Sequence, residues 1–141
     1  MAKGKVMTPT SRILVAALGA CCLAAPAVAH HSFAVEYDPL KPIEGTGVVS
    51  KVEWTNPHMR VYVDVTEPNG TVTTWNLEMG SPNSVLRRGW TKNDIKVGEK
   101  ITFKGFAGRV VMTRSVADAI TLADGRSFAG ASGAPGAIPG Q

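Results

Sequence analysis

Between Met59 and Met79 the chain is written in a two-residue period. Met59, Val61, Val63 and Val65 alternate with Arg60, Tyr62 and Asp64, which puts the two sets on opposite faces of a strand. Glu67-Pro68-Asn69-Gly70 then supplies a turn, with Asn and Gly tolerating the positive φ that a tight reversal needs. Val72 to Met79 returns as the antiparallel partner, with Trp75, Leu77 and Met79 on the apolar side and Asn76 and Glu78 on the other. A lone hairpin is at best marginally stable in water, so the rest of the chain has to complete a β-core around it.

Gly47 to Trp54 repeats the period, with Val48, Val52 and Trp54 on one face and Lys51 and Glu53 on the other, until Thr55-Asn56-Pro57 breaks it. Upstream, Ser32 to Pro42 contains Pro39 and Pro42 and little periodicity, which predicts an extended arm over the domain rather than a helix. Downstream, Ser81 suits a helix cap, Pro82 its first turn and Gly89 its end, with Val85 and Leu86 as a small apolar edge. Val97-Gly98-Glu99 turns into a strand from Lys100 to Phe106, Arg114 to Leu122 forms a fifth strand, and Asp124-Gly125 starts a short return ending at Phe128. This order predicts an all-β fold: a small five-stranded OB-like barrel with one short helix between strands 3 and 4. An up-and-down barrel or an open sandwich satisfies the same strand order. Residues 129–141, almost entirely Gly, Ala, Ser and Pro, form a tail predicted to be disordered.

The first 29 residues have the parts of a cleavable export signal: Lys3, Lys5 and Arg12, an apolar run from Ile13 to Ala25, then Ala25-Pro26-Ala27 and Ala27-Val28-Ala29. The run falls short of the ~20 residues that span a bilayer, so no stable membrane span is expected. Cleavage after Ala29 leaves 112 of the 141 residues as one domain over residues 30–128 plus the tail, in a periplasmic location. Leu18-Gly19-Ala20-Cys21 offers the alternative of a lipoprotein with Cys21 as its first residue. Removing the signal takes three basic and no acidic residues, so the formal charge falls from +4 to +1, and a nucleic-acid partner loses its electrostatic basis. Cys21 and Cys22 leave with the signal, and with them any disulfide, thiolate metal site or cysteine nucleophile.

His30-His31-Ser32-Phe33, Val52-Glu53-Trp54-Thr55-Asn56-Pro57-His58, Gly80-Ser81-Pro82-Asn83 and Leu86-Arg87-Arg88-Gly89-Trp90 together resemble a family of small exported bacterial proteins of unknown function, DUF6152. The resemblance spans nearly the whole mature chain. It implies export and a single β-domain and brings no activity with it.

The residues give little for catalysis. Ser81 reads as a helix cap, Gly45-Thr46-Gly47 precedes a strand rather than opening a helix, and the acidic pairs Glu36/Asp38 and Glu53/Asp64 read as surface charge. Arg87 and Arg88 suit the negative end of a short helix, with anion or base binding beside Trp90 as the competing reading. The chain is not expected to be an enzyme. Histidine stands apart, because neutral imidazole is the commonest transition-metal ligand, and cleavage after Ala29 gives His30 a free α-amine beside its ring. His58 follows Pro57 at the start of the best strand. His30, His31 and His58 are therefore the candidate metal ligands, and an all-nitrogen set of this kind favours copper as Cu(II). Met59 and Met79 add soft donors but fall on the inward face, where methionine fills core. The bland account is that Asn56-Pro57-His58 shapes a turn and the arm histidines bond backbone. Two functions follow: an exported binding protein for a transition metal, or a metal-free periplasmic module that binds a protein or small ligand on its barrel face.

Overall fold

The computed structural model describes residues 31–130 and, from Phe33 onward, their side chains. The expected export signal, His30, the His31 ring and the tail beyond residue 130 lie outside the described residues. The elements run α1 (His31–Glu36), β1 (Tyr37–Glu53), β2 (Arg60–Thr66), β3 (Val72–Glu78), α2 (Pro82–Arg87), β4 (Lys100–Gly108), β5 (Arg114–Leu122) and β6 (Ser127–Ala129).

The hairpin of β2 and β3 has the register its alternation requires, from Arg60 opposite Glu78 through Val63 opposite Trp75 to Thr66 opposite Val72. Met59, Val61, Val63, Leu77 and Met79 are fully buried, and Trp75 and Val65 pack against them partly covered. β1 pairs antiparallel with β2 on one side and β4 on the other. β4 pairs with β5, and β5 closes onto β3 in parallel. Five strands thus form a hydrogen-bonded ring in the order β1-β2-β3-β5-β4, and β6 adds to the outer part of β5. Among the described residues the fold is mostly β, with six strands and two short helices; five strands followed by a short return, which is β6, and a single helix were expected.

Three expectations need correction. The segment from Ser32 is not extended throughout, since residues 31–36 form α1 before β1 begins at Tyr37. Phe33 and Tyr37, four residues apart, bring their rings to 5.5 Å, and Phe33 meets the edge of Phe106. This pairing gives the turn an apolar side that its local sequence does not advertise. β1 then runs through Pro39 and Pro42, with an irregular register between Tyr37 and Pro42 that lets it tolerate them. Second, Val48 does not share a face with Val52 and Trp54. A bulge at Ser50 places Val49 opposite Val63 and Lys51 opposite Tyr62, so Val49 is buried, Val48 is 45 % exposed and the inward phase resumes at Val52. Third, order extends past residue 128: Ala129 pairs with Ala119, and the Gly130 carbonyl accepts from the Gly80 amide at 3.0 Å.

A second irregularity, between Lys104 and Gly105 of β4, brings Gly105 so close to β5 that a Cβ there would lie 1.9 Å from the Val116 carbonyl oxygen. Bulges of this kind bend a sheet enough to close it. One end of the ring is covered by α2 and the loop after it. Ser81 caps α2 by accepting from the Ser84 amide at 3.3 Å, and Gly89 ends it at φ +93°. Val85 and Trp90 then drop into the core, with the Trp90 ring 4.3 Å from Phe128.

Val63→Asp should abolish the cooperative thermal transition seen by circular dichroism, because an unpaired carboxylate in this core costs a large share of the ~5–15 kcal/mol that holds a domain together. Val48→Asp, on the same sheet but outside the bulge, should melt within a few degrees of the parent protein. Equal damage from both would contradict the phase set by Ser50.

Candidate functional site

The outward face of the hairpin is as ordered as its inward face. Because Arg60 stands opposite Glu78 and Tyr62 opposite Asn76, polar side chains from the two strands meet in pairs. Arg60 donates through Nη1 to Asn76 Oδ1 at 3.0 Å and through Nη2 to Glu78 Oε2. His58 precedes β2 after a cis Asn56–Pro57 peptide and is held at the end of the ladder by the Met59 amide on the Gly80 carbonyl, 3.1 Å, and the Met79 amide on the Met59 carbonyl, 2.9 Å. Its Nδ1 lies 2.8 Å from Glu78 Oε1. This close approach turns the Nδ1 edge of the ring toward Glu78.

The three partners differ in burial. The Glu78 side chain is 10 % exposed, whereas that of His58 is 45 % exposed. The imidazole therefore rests against a mostly buried carboxylate while nearly half of its side chain stays in solvent. Tyr37 approaches the same carboxylate from β1. Burial, then the charge of Glu78, push its phenol well above the ordinary range, and its hydroxyl is buried with no partner in hydrogen-bonding geometry.

A second polar pair sits beside the first. Tyr62 donates to Glu53 Oε2 at 3.1 Å, and Lys51 reaches Glu53 Oε1 at 2.6 Å while lying 5.1 Å from the centre of the Tyr62 ring. The Lys51 hydrogen bond, helped by that of Tyr62, lowers the Glu53 carboxyl below its usual value. Asp64 is occupied elsewhere, accepting from Ser50 at 3.2 Å and Thr74 at 2.7 Å, so Glu53 and Asp64 do not converge. Asp38 turns to the Leu40 amide and Arg109 and does not meet Glu36. Trp90 is buried, so no stacking face accompanies Arg87 and Arg88.

Of the three candidate ligands, His58 is placed and oriented, while His30 and the ring of His31 lie outside the described residues. Met59 and Met79 are core. Among the described residues no three His, Cys, Asp or Glu side chains gather as a metal-binding group. Sequence reasoning missed Glu78, Arg60 and Tyr37. The first two were within its reach, because a turn centred on Asn69 fixes Arg60 opposite Glu78 once the hairpin is drawn. Tyr37 gave no such signal.

The chain belongs to DUF6152, a family of unknown function, which it matches over residues 18–116. No curated protein and no solved structure matches it. Among the described residues no helix is long and apolar enough to cross a membrane.

Replacing Arg60 by Met should destabilise the domain by roughly 2–4 kcal/mol in denaturant titrations, since it leaves a mostly buried carboxylate with His58 as its remaining charged partner. Tyr37→Phe removes an unpartnered hydroxyl and keeps the ring, so it should be neutral or stabilising by up to ~1 kcal/mol. A Tyr37→Phe variant that loses stability comparable to Arg60→Met would mean the hydroxyl is bonded after all.

Proposed function

We propose that this chain is exported, is cleaved after Ala29, and acts in the periplasm as a small binding protein for one Cu(II). In this reading the ring closes as an OB-like barrel, supported by the strand order β1-β2-β3-β5-β4 and by a helix between β3 and β4. His58 supplies one ligand and the α-amine and ring of His30 supply two more, with His31 as an auxiliary or substitute.

The observation that carries the proposal is the brace on His58. Metal-binding histidines commonly donate their second ring nitrogen to a carboxylate, which fixes the tautomer, aims the ring and raises the basicity of the free nitrogen. His58 has a carboxylate of this kind in reach, Glu78 Oε1 at 2.8 Å from Nδ1 and itself held by Arg60, and nearly half of the His58 side chain stays exposed for a ligand. The donor chemistry fits Cu(II), which binds nitrogen sets most tightly in the divalent series. Each donor must be deprotonated, so binding weakens as pH falls.

The test is a copper titration of the protein with its native N-terminus against a competing chelator, after mass spectrometry has established that it starts at His30. His58→Ala, and separately one residue added before His30, should each weaken binding by roughly tenfold or more, because each removes a donor from a small set. Equal affinity in all three proteins would leave adventitious surface binding only, and would hand the function to a metal-free module that binds a protein or small ligand. A lipidated Cys21 as first residue would overturn both the soluble location and the role of the α-amine.

A further inference from the structure

We propose that the face made by α1 and the β4–β5 turn is a twofold interface between two copies of this chain. Nine large apolar side chains stand exposed among the described residues, and five of them, Val35, Leu40, Val110, Val111 and Met112, come from these two segments and the start of β1. The rest, Val48, Val72, Leu86 and Val97, come one each from four other segments. Val35, Val110 and Val111 line one open pocket of about 370 Å³, with Glu36, Tyr37 and Arg114 among its other walls. The two segments are tied together: the Arg109 amide donates to the Glu36 carbonyl at 2.9 Å and its Nε to the Ala34 carbonyl at 2.7 Å. The apolar face is thus a fixed platform with a projecting tip, Val110 being 95 % exposed. Three consecutive exposed apolar residues at a turn contribute nothing to their own core and mark a surface that is covered in use.

The charges around the face select the occupant. Lys41 and Arg109 both pair with Asp38. That leaves Glu36 and Arg114, which line the same pocket and have no ion pair or side-chain hydrogen bond among the described residues. One unpaired anion and one unpaired cation on a shared apolar patch suit a twofold contact, in which Glu36 of each copy meets Arg114 of the other while the valines pack about the axis. An anionic surface gains little here, because it meets Glu36 and Asp38 along with the arginines.

Sedimentation velocity of the natively expressed, untagged protein, run as a concentration series in excess chelator, should show a reversible dimer. Val110→Asp alters a side chain that is already in solvent, so it should stay folded by circular dichroism and sediment as monomer. Glu36→Arg and Arg114→Glu should each weaken association by roughly tenfold or more, and the double exchange should restore most of it, as expected of a direct charge pair. A monomer up to roughly millimolar concentration, the weak limit of useful association, overturns the proposal. So does a dimer indifferent to Val110→Asp and to both single exchanges. Monomer that co-sediments with vesicles of anionic phospholipid, and loses this with Val110→Asp, also overturns it and gives the face to a lipid surface.

Discussion

Three residue pairs join β3 to β5, Asn76 with Arg114, Leu77 with Ser115 and Glu78 with Val116, and on them depends whether the sheet is an open meander or a ring. Parallel pairing is slightly weaker per residue than antiparallel pairing, and three rows are few. The seam is extended at both ends, by the Asn76 amide on the Thr113 carbonyl at 2.8 Å and the Gly80 amide on the Gly130 carbonyl at 3.0 Å. The ring bends at two irregularities, the extra residue Ser50 in β1 and the extra residue Asp118 in β5 opposite Lys104 and Gly105. With the seam made, Leu77 and Val61 face a filled interior; without it the apolar side of the hairpin would lie open along one edge.

The same seam explains why an outward-pointing glutamate is buried. Val116 stands next to Glu78 across the parallel pairing and belongs with Tyr37 to a small satellite core, against which Phe33 and Phe106 pack. A carboxylate placed under such a cover loses water and must be repaid by charged partners. Arg60 and His58 fill that role from the neighbouring strand and from the turn before it. Arg60 and Glu78 are fixed to one another by β-sheet register, and the carboxylate they position stands beside the imidazole.

Much of this was legible in the sequence, where the local period agreed with the tertiary outcome. The hairpin from Met59 to Met79, the Ser81 cap, the Gly98 and Gly125 turns and the β5 limits Arg114 to Leu122 all follow from alternation and turn chemistry that tertiary contacts reinforce. The misses share a cause. The bulge at Ser50 inserts one residue into a run whose period reads equally well without it. The α1 turn forms because Phe33 and Tyr37 meet Phe106 and Val116, residues some seventy positions away. His58 was singled out for its residue type alone, and its orientation rests on Glu78, whose burial depends on a strand pairing no local pattern announces.

Ring closure leaves β1 with one long unpaired border, since β2 covers only Val48 to Glu53 and the stretch from Tyr37 to Gly47 is bonded on the β4 side alone. Free borders of this length are templates on which further chains add and fibrils grow. This one carries Pro39 and Pro42, which have no amide to donate, with Lys41 between them. Along the Tyr37–Pro42 half of this border an incoming strand would meet missing donors and a charge. The backbone route to polymerisation is thereby obstructed over that half of the border.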